Sequence, residues 1–264
     1  MTTTPSRRRN NGRVLVALPV FNERDYVTDV LHAVWRYACD ILVVNDGSTD
    51  GTQDVLDTHT DLRVITHPAN AGYGQSLIDA FDYADRHGFD WTITIDCDHQ
   101  HEPAYLPRFC REIQTDRADI ISGSRYLQPL DLGTVPPPPE RVAINRAITG
   151  LLNRHLNLHL TDAFCGFKAY RTRAARQLAL AETGYGLPLQ LWVQARRARL
   201  QIEELPVPLI YHDRERHFAG ALEDPQKRMQ YYIAIIEKEL GYHVGGEIEA
   251  LLCTAGQRRR LGGP

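Results

Sequence analysis

The stretch that decides the fold of this chain is Trp91-Thr92-Ile93-Thr94-Ile95-Asp96-Cys97-Asp98-His99-Gln100. Its first half consists of β-branched and aromatic residues, which predicts a short buried strand. Two carboxylates spaced i, i+2 follow at once, so Asp96 and Asp98 can both turn toward one cation, with Gln100 close enough to help position them. Carboxylate oxygens suit Mg²⁺ or Mn²⁺, which take further ligands from water and substrate phosphates. The pattern predicts a metal–diphosphate site, and its alternative is an exposed acidic turn.

Strands and helices alternate on both sides of this stretch at the spacing of β-α-β units. Strands are predicted over residues 14–18, 41–44, 62–66, 91–95 and 119–123, and helices over residues 24–38, 52–58, 70–87 and 103–115. The predicted strands are apolar throughout, which indicates a mainly parallel sheet covered by helices on both faces. The predicted fold class is therefore α/β.

The second half of the chain is less regular. Residues 128–140, which include Pro136 to Pro139, are predicted to form a loop over the cleft, because the segment is too long for a simple connector. Helices are predicted over residues 141–157, 172–180, 187–200 and 225–240, with a strand over 166–170 and an extended edge segment over 202–211. We predict one domain over residues 13–240, between a disordered lead at 1–12 and a flexible tail at 241–264.

Polar clusters follow the predicted strands at the point where each strand ends. They are residues 19–23, Asp46, residues 70–74, Asp96 with Asp98, and Ser124-Arg125. Because ligands of open parallel sheets bind beyond the carboxyl ends of the strands, these clusters are expected to meet at one site.

Each cluster could bind part of a sugar nucleotide, and each also has an ordinary structural explanation. Asp46 could accept hydrogen bonds from a nucleobase, or it could cap a turn or a helix. Gly72 and Gly74 allow close approach of an anion at a helix start, or they form a common turn. Arg125 could pair with a phosphate through its planar guanidinium, or lie on the surface. The P-loop and Rossmann motifs, G-x-x-x-x-G-K-[ST] and G-x-G-x-x-G, do not occur in the chain.

Composition excludes several other classes of function. A net charge of −3 gives no reason to expect a nucleic-acid partner. The five cysteines are scattered and form no C-x-x-C, which favours a reducing cytoplasm over a disulfide framework or a zinc site. No apolar run reaches the roughly 18–20 residues that span a bilayer, so we predict no transmembrane anchor.

Four motifs in register resemble the family 2 glycosyltransferases of GT-A fold. They are Leu18-Pro19-Val20-Phe21-Asn22-Glu23-Arg24, residues 43–52 around Asn45-Asp46-Gly47-Ser48, residues 96–103 from Asp96 to Pro103, and Gly123-Ser124-Arg125-Tyr126. Within the family, the chain looks most like the branch of dolichyl- or polyprenyl-phosphate mannosyl- and glucosyltransferases, with further matches at Asp162, residues 165–169 and residues 202–208. The likeness covers residues 14–220 and implies a GT-A domain with a C-terminal helical extension.

The resemblance implies inverting transfer of a hexose, mannose or glucose, from a GDP- or UDP-sugar to a polyprenyl or dolichyl phosphate. It implies that the nucleotide is bound by Pro19, Phe21, Glu23, Asp46, Gly74 and Asp96, and that Mg²⁺ or Mn²⁺ is held by Asp96, Asp98 and Gln100. The implied catalytic residues are Asp98, Arg125 and Asp162, with Arg125 facing the phosphates. On the acceptor and phosphate side, it implies Asp162, Lys168, Gln190, Arg214 and Arg216.

Three departures from the pattern of this branch concern the acceptor. Gln190 stands where an acidic residue is usual, which favours an acceptor that is already ionised or means an altered acceptor chemistry. Residues 214–220 match R-x-x-G-x-S-K only loosely, so Arg214, Arg216 and His217 are alternative phosphate contacts. Without an anchor, a lipid acceptor must be reached peripherally, at the cytoplasmic membrane face, or through a membrane subunit. Helix 225–240 and the arginine triplets at 7–9 and 258–260 could contact the membrane, or they could pack in the core and lie in solvent.

Two other functions stay open from the sequence. The same donor chemistry could act on a soluble hydroxyl acceptor, which would need a general base. The chain could also be a non-catalytic subunit that binds sugar nucleotides, although the intact set of Asp96, Asp98 and Gln100 argues against it. A nucleotidyltransferase is disfavoured, because no G-x-G-T/S-x-x-R pattern lies near the first strand.

Overall fold

The computed structural model describes residues 12–128, 136–211 and 220–247. Its strands are β1 (Val14–Val20), β2 (Ile41–Asn45), β3 (Arg63–Thr66), β4 (Trp91–Thr94), β5 (Ile120–Ser124), β6 (Lys168–Arg171) and β7 (Ile202–Pro206). They form one seven-stranded sheet in the order β3-β2-β1-β4-β6-β5-β7. All neighbouring pairs are parallel except those of β6, which runs antiparallel to both β4 and β5. The mainly parallel sheet predicted from the sequence is confirmed.

The helices are α1 (Val27–Trp35), α2 (Thr52–Leu56), α3 (Tyr73–Arg86), α4 (Leu106–Thr115), α5 (Pro139–Leu156), α6 (Thr172–Ala175), α7 (Leu187–Arg197) and α8 (Pro225–Leu240). Short 3-10 turns cover Pro103–Tyr105 and Gly220–Glu223. The helix predicted over 172–180 is wrong beyond its first turn. Gln194 and Gln190 on α7 bond instead to the backbone of Ala179, Ala181 and Glu182, which holds this segment outside a helix.

The two faces of the sheet pack against different helices. Along β1, Val16 and Leu18 belong to a buried cluster with residues of α1 and α4, whereas Leu15 and Ala17 pack with residues of α3. Side chains alternate between the faces of a strand, so a strand that is apolar at every position must be covered on both sides. Each fully buried aliphatic side chain contributes about 1.5–3 kcal/mol to folding.

Helices α5, α7 and α8 form a second layer on the face that α3 covers. Trp192 on α7 lies in its centre, fully buried, and its indole N–H donates to the carbonyl of Ala163. The apolar stripe of α8, which includes Met229, Tyr232 and Ile236, is buried in the same cluster. Membrane contact and core packing were both predicted for this helix, and the structure shows that this stripe packs in the core.

The segment that follows α8 packs against the body of the protein as far as residue 247. The N–H groups of Val244 and Gly245 donate to Glu237, and Arg154 on α5 pairs with Glu247 at 2.8 Å. Residues 244–247 therefore make defined contacts with α8 and α5, and the flexible tail over 241–264 stays a prediction. The arginine triplets at 7–9 and 258–260 lie outside the described residues. Within the described ranges, no helix combines the length and apolar character needed to cross a bilayer.

Candidate functional site

A cavity of about 820 Å³ opens beyond the carboxyl ends of the parallel strands. Its wall includes eight of the residues predicted for the site, namely Pro19, Phe21, Glu23, Asp46, Asp96, Asp98, Gln100 and Arg125. The structure thus brings together clusters that are far apart in the chain. Pro137, from the proline-rich segment predicted to lie over the cleft, also lines the cavity, whereas residues 129–135 are outside the described ranges.

The loops that follow β1 and β2 are tied to each other at one end of the cavity. The N–H of Glu23 donates to the hydroxyl of Thr52, and the N–H of Asn22 donates to the hydroxyl of Ser48. Asn22 has a φ of 56°, a left-handed conformation that Asn adopts more readily than most residues. Phe21 beside it is 40% exposed. These loops therefore present an aromatic ring on a backbone fixed by side-chain hydrogen bonds.

Asp46, directly after β2, binds the chain itself. Its carboxylate accepts hydrogen bonds from the N–H groups of Ala71 and Gly72 and lies 2.7 Å from Nδ1 of His67. It is 3% exposed, although it belongs to the cavity wall. This arrangement supports the structural alternative for Asp46, a carboxylate that holds the turn leading into α3.

The glycines at the start of α3 allow a close approach of protein backbone. The N–H of Gly74 donates to the carbonyl of Thr183 at 2.7 Å, and a Cβ on Gly74 would lie 2.3 Å from the carbonyl oxygen of Glu182. Gly72 has a φ of 107°, and a Cβ there would lie 2.2 Å from the carbonyl oxygen of Thr183. The predicted use of Gly74 in nucleotide binding stays a prediction. The close approach that requires a glycine is to the segment at 182–184.

Asp96 stands at the carboxyl end of β4 with its carboxylate contacted from several directions. Tyr73 on α3 donates its hydroxyl to Oδ1 at 3.0 Å, and Nε2 of His101 lies 3.8 Å from Oδ2. A Cβ on Gly166 would lie 2.2 Å from Oδ2, so only a glycine fits beside this carboxylate. The backbone N–H of Asp96 donates to Nδ1 of His101. Burial lowers the pKa of His101 to about 4, so at neutral pH the ring is uncharged and can accept this bond.

Asp98 and Gln100 are placed by a tight turn. Oδ1 of Asp98 accepts the N–H of Gln100 at 3.0 Å, and His99 between them has a φ of 58°. Both side chains line the cavity together with Asp96, so two carboxylates and one amide supply oxygen donors there. This donor set fits Mg²⁺ or Mn²⁺, which accept ligands from substrate phosphates. In the described part of the chain, no group of three His, Cys, Asp or Glu side chains could hold a metal alone. A cation here would depend on further oxygen ligands.

Arg125 and Asp162 form a buried ion pair at the end of β5. Nε and Nη2 of Arg125 bond to Asp162 at 2.6 and 2.9 Å, and Asn145 donates to the same carboxylate. Burial by itself would raise the pKa of Asp162, but the charge and hydrogen bonds of Arg125 outweigh it and hold that pKa well below the usual range. Arg125 lines the cavity, whereas Asp162 is fully buried. Asp162 therefore orients Arg125, and its predicted catalytic and acceptor-side roles stay predictions.

The segment that carries Asp162 is itself held by β7. Glu204 accepts hydrogen bonds from the backbone N–H groups of Thr161 and Asp162. Because β6 runs antiparallel, the residues that precede it, including Asp162 and Gly166, arrive at the carboxyl edge of the sheet.

Two residues predicted on the acceptor side lie outside the cavity. Lys168 is 1% exposed, and its ammonium donates to the carbonyl of Cys165 and lies 5.5 Å from the centre of the Trp192 ring. Gln190 is 4% exposed and bonds to the backbone of the 181–182 segment and to Glu239 on α8. Both side chains hydrogen-bond to buried backbone groups, and their predicted places on the acceptor side stay predictions. Arg214, Arg216 and His217 fall outside the described residues.

Several cavity residues were missed from the sequence. Arg141 on α5 and Arg228 on α8 line it, as do Tyr73, Tyr126, Tyr211 and Tyr232. Arg141 donates to the hydroxyl of Tyr211, and burial lowers the pKa of Arg228. A signal existed for Arg141, which opens a helix directly after the proline-rich segment. No signal in the sequence marked Arg228, because α8 has the pattern of an ordinary core helix.

Comparison with known proteins identifies the family. The sequence model of Glycosyl transferase family 2 matches residues 15–179. The chain is 31% identical over 208 residues to "Undecaprenyl-phosphate mannosyltransferase" from Micrococcus luteus, which covers 75% of this chain and 84% of that protein. The chain belongs to glycosyl transferase family 2. It is also 29% identical over 215 residues to "Polyprenol monophosphomannose synthase" from Mycolicibacterium smegmatis, covering 77% of this chain and 79% of that protein. The resemblance to the polyprenyl-phosphate branch is confirmed.

A solved structure has a similar fold. Glucosyl-3-phosphoglycerate synthase from Mycobacterium tuberculosis, in complex with Mn²⁺, uridine-diphosphate and glucosyl-3-phosphoglycerate, matches with a TM-score of 0.68. The two chains are 18% identical, and the match covers 93% of this chain and 88% of that one. At this identity the likeness concerns the fold, and it confirms the predicted GT-A architecture of the glycosyltransferase.

His67 makes one part of the glycosyltransferase site sensitive to pH. Its ring lies between Asp46 and Asp79, with Nδ1 at 2.7 Å and Nε2 at 2.8 Å from their carboxylates. Burial alone would lower the pKa of His67, but hydrogen bonds to these two carboxylates outweigh burial and raise it above its usual 6.5. A histidine whose pKa is raised on folding adds stability in full below the unfolded pKa, and this contribution disappears as the pH rises through the folded pKa.

We therefore expect the melting temperature to fall as the pH increases from about 6.5 through the raised pKa of His67. The His67→Gln variant keeps a polar side chain but cannot titrate. The difference in melting temperature between the two proteins should be largest at low pH and shrink as the pH increases. A difference that stays constant across this range would show that His67 does not change its charge there.

Proposed function

We propose that this glycosyltransferase moves a hexose, mannose as named for its relatives, from a GDP- or UDP-sugar to a polyprenyl phosphate, with Mg²⁺ or Mn²⁺ bound at Asp96, Asp98 and Gln100. The observation that carries the proposal is that one cavity is lined both by side-chain oxygen donors and by arginines. The donors are Asp96, Asp98 and Gln100, and the arginines are Arg125, Arg141 and Arg228. The two relatives named for polyprenyl substrates, at 31% and 29% identity, support the choice of acceptor.

The nucleoside is assigned to the loops that follow β1 and β2. Phe21 offers a half-exposed ring on which a base can stack, and Pro19 and Glu23 line the cavity beside it. Asp46 supports this end by holding the turn at Ala71 and Gly72, and the remaining lone pair of its Oδ2 can still accept from a base.

The diphosphate is assigned to the edge between Asp98 and Arg125. Asp96, Asp98 and Gln100 would hold a divalent cation there, which would supply several kcal/mol of charge stabilisation to the leaving diphosphate. Arg125 adds a guanidinium whose orientation is set by Asp162 at 2.6 and 2.9 Å, so its position costs no reorganisation when charge develops. The ion pair also holds Arg125 charged, because Asp162 raises the pKa of the guanidinium against the opposing effect of burial.

The acceptor is assigned to the end of the cavity formed by α5, α8 and the proline-rich segment. Arg141 and Arg228 supply positive charge there, beside the apolar side chains of Ile144, Phe164 and Leu209. A phosphate joined to a hydrocarbon chain has both of these properties. Its oxygen is ionised at pH 7 and needs no general base, which agrees with the position of Gln190 outside the cavity. The lipid would be met at the cytoplasmic face of a membrane.

The test is transfer of labelled sugar into an organic phase. The purified chain is incubated with labelled GDP-mannose, GDP-glucose or UDP-glucose, Mn²⁺ or Mg²⁺, and undecaprenyl phosphate in detergent. We expect one donor to give label that extracts with the lipid, and undecaprenol, which lacks the phosphate, to give none. Label found on a water-soluble hydroxyl acceptor would indicate the alternative acceptor. Binding of GDP or UDP without transfer to any acceptor would indicate a non-catalytic subunit.

A further inference from the structure

Tyr73 joins helix α3 to the carboxylate of Asp96. It is the first residue of the helix, it lines the cavity, and its hydroxyl lies 3.0 Å from Oδ1 of Asp96. No feature of the sequence indicated this contact, since the two residues are 23 positions apart. Tyr73 therefore contacts the proposed metal site from helix α3, whereas Asp96 itself follows strand β4.

The ring of Tyr73 is itself held in place. It stacks on Tyr185, with ring centres 5.8 Å apart and planes 16° from parallel. On the same turn of α3, the backbone N–H groups of Gly74 and Gln75 donate to the carbonyl of Thr183. The segment at 182–185 thus fixes both the backbone and the ring of Tyr73, so the hydroxyl reaches Asp96 from a defined direction.

Two further contacts of Asp96 lie at the other oxygen of its carboxylate. Gly166 packs against Oδ2 and His101 lies on the same side, 3.8 Å from Oδ2. These contacts limit where Oδ2 can be, whereas the Tyr73 hydroxyl bonds to Oδ1. Groups that hydrogen-bond to a metal-binding carboxylate set its orientation, and their removal typically weakens metal binding by about 10- to 100-fold.

We infer that Tyr73 is a positioning residue that presents the carboxylate of Asp96 to the divalent cation. The inference rests on the proposed function, because it assumes that Asp96 binds a metal. It goes beyond that proposal by assigning a role to a residue on α3, whereas the proposed metal ligands follow β4.

The test measures Mn²⁺ binding directly, by the electron paramagnetic resonance signal of free Mn²⁺, with GDP or UDP present. In Tyr73→Phe the ring and its stacking are kept and only the hydroxyl is lost. We expect the dissociation constant for Mn²⁺ to rise about tenfold, at the low end of the range for such groups. Binding of the nucleotide without metal should stay unchanged. The matched control is Tyr83→Phe, the same change on the same helix, where the ring packs on His87 and Phe89.

A double-mutant cycle shows whether Tyr73 acts through Asp96. Tyr73→Phe should have no further effect on Mn²⁺ binding in the Asp96→Asn background, because the carboxylate that it positions is gone. The same dissociation constant for wild type and Tyr73→Phe, within about twofold, would overturn the inference alone. Wild-type protein that binds no Mn²⁺ would overturn both this inference and the proposed metal site. The melting temperatures of all variants show whether each one is folded. If the effects of Tyr73→Phe and Asp96→Asn on Mn²⁺ binding are additive, the positioning role is contradicted, even if Tyr73→Phe is less stable.

Discussion

Replacing Asp98 by alanine is expected to abolish sugar transfer while the protein remains folded. Asp98 supplies an oxygen donor at the edge of the cavity, and its carboxylate also closes the turn to Gln100. Removing one electrostatic group that acts on a developing charge typically lowers kcat by about 10²- to 10³-fold. Because this substitution also removes a proposed metal ligand, we expect kcat/KM to fall by about 10³-fold or more. The measurement is transfer of labelled sugar at saturating Mn²⁺.

The control for this prediction is the same substitution on the surface of α3. Asp82→Ala removes a carboxylate that is 63% exposed and pairs with Arg86 on the neighbouring turn. It should leave both transfer and the melting temperature nearly unchanged. If Asp98→Ala turns over as fast as wild type, and does so with a metal chelator present, the proposed metal role is refuted.

The second large effect is expected at the buried ion pair between Arg125 and Asp162. Asp162→Ala removes a fully buried carboxylate and leaves the guanidinium of Arg125, whose side chain is only 18% exposed, without its partner. Removing one partner of such a pair typically costs about 3–5 kcal/mol. We expect the free energy of unfolding, measured with urea, to fall by about this amount, against a change within about 0.5 kcal/mol for Asp82→Ala.

Asp162→Asn separates the structural part of this effect from the functional one. The amide keeps the shape of the side chain, and its oxygen can still accept the hydrogen bond from Asn145. It removes the negative charge that raises the pKa of Arg125, and it leaves only one oxygen to accept from the guanidinium. We expect a smaller loss of stability than for Asp162→Ala, together with a loss of transfer. An Asp162→Asn protein that is as stable as wild type would contradict the importance of the ion pair for folding.

Local pattern was sufficient to predict which residues after the parallel strands meet at one cavity. The carboxyl ends of parallel strands meet at one edge, so Pro19, Phe21, Asp96 and Asp98 could be placed together from strand periodicity and from the polar residues that follow each strand. Helix α8 was also predicted with its observed bounds, Pro225–Leu240, because an N-terminal proline and a regular apolar stripe mark it clearly.

The surroundings of the other predicted site residues could not be predicted in the same way. Gln190 and Lys168 were assigned to the acceptor by resemblance, and in the structure both side chains hydrogen-bond in the interior. Asp46 and Gly74 likewise make contacts with residues 25 and 109 positions away. Such long-range partners leave no local signal, because each side chain has a plausible role on its own and only its neighbours in space decide between roles.

The sequence by itself determined the α/β class, the strand that ends in two aspartates and the edge of the sheet where ligands bind, since these depend on the periodicity of neighbouring residues. Only the tertiary structure decided that β6 runs antiparallel between β4 and β5. That direction brings Gly166 against Asp96, and it brings Asp162 into its ion pair with Arg125. Helix packing places the Tyr73 hydroxyl on the carboxylate of Asp96. The physical reason is that strand direction and side-chain contacts across the sheet are set by how whole elements bury their apolar faces.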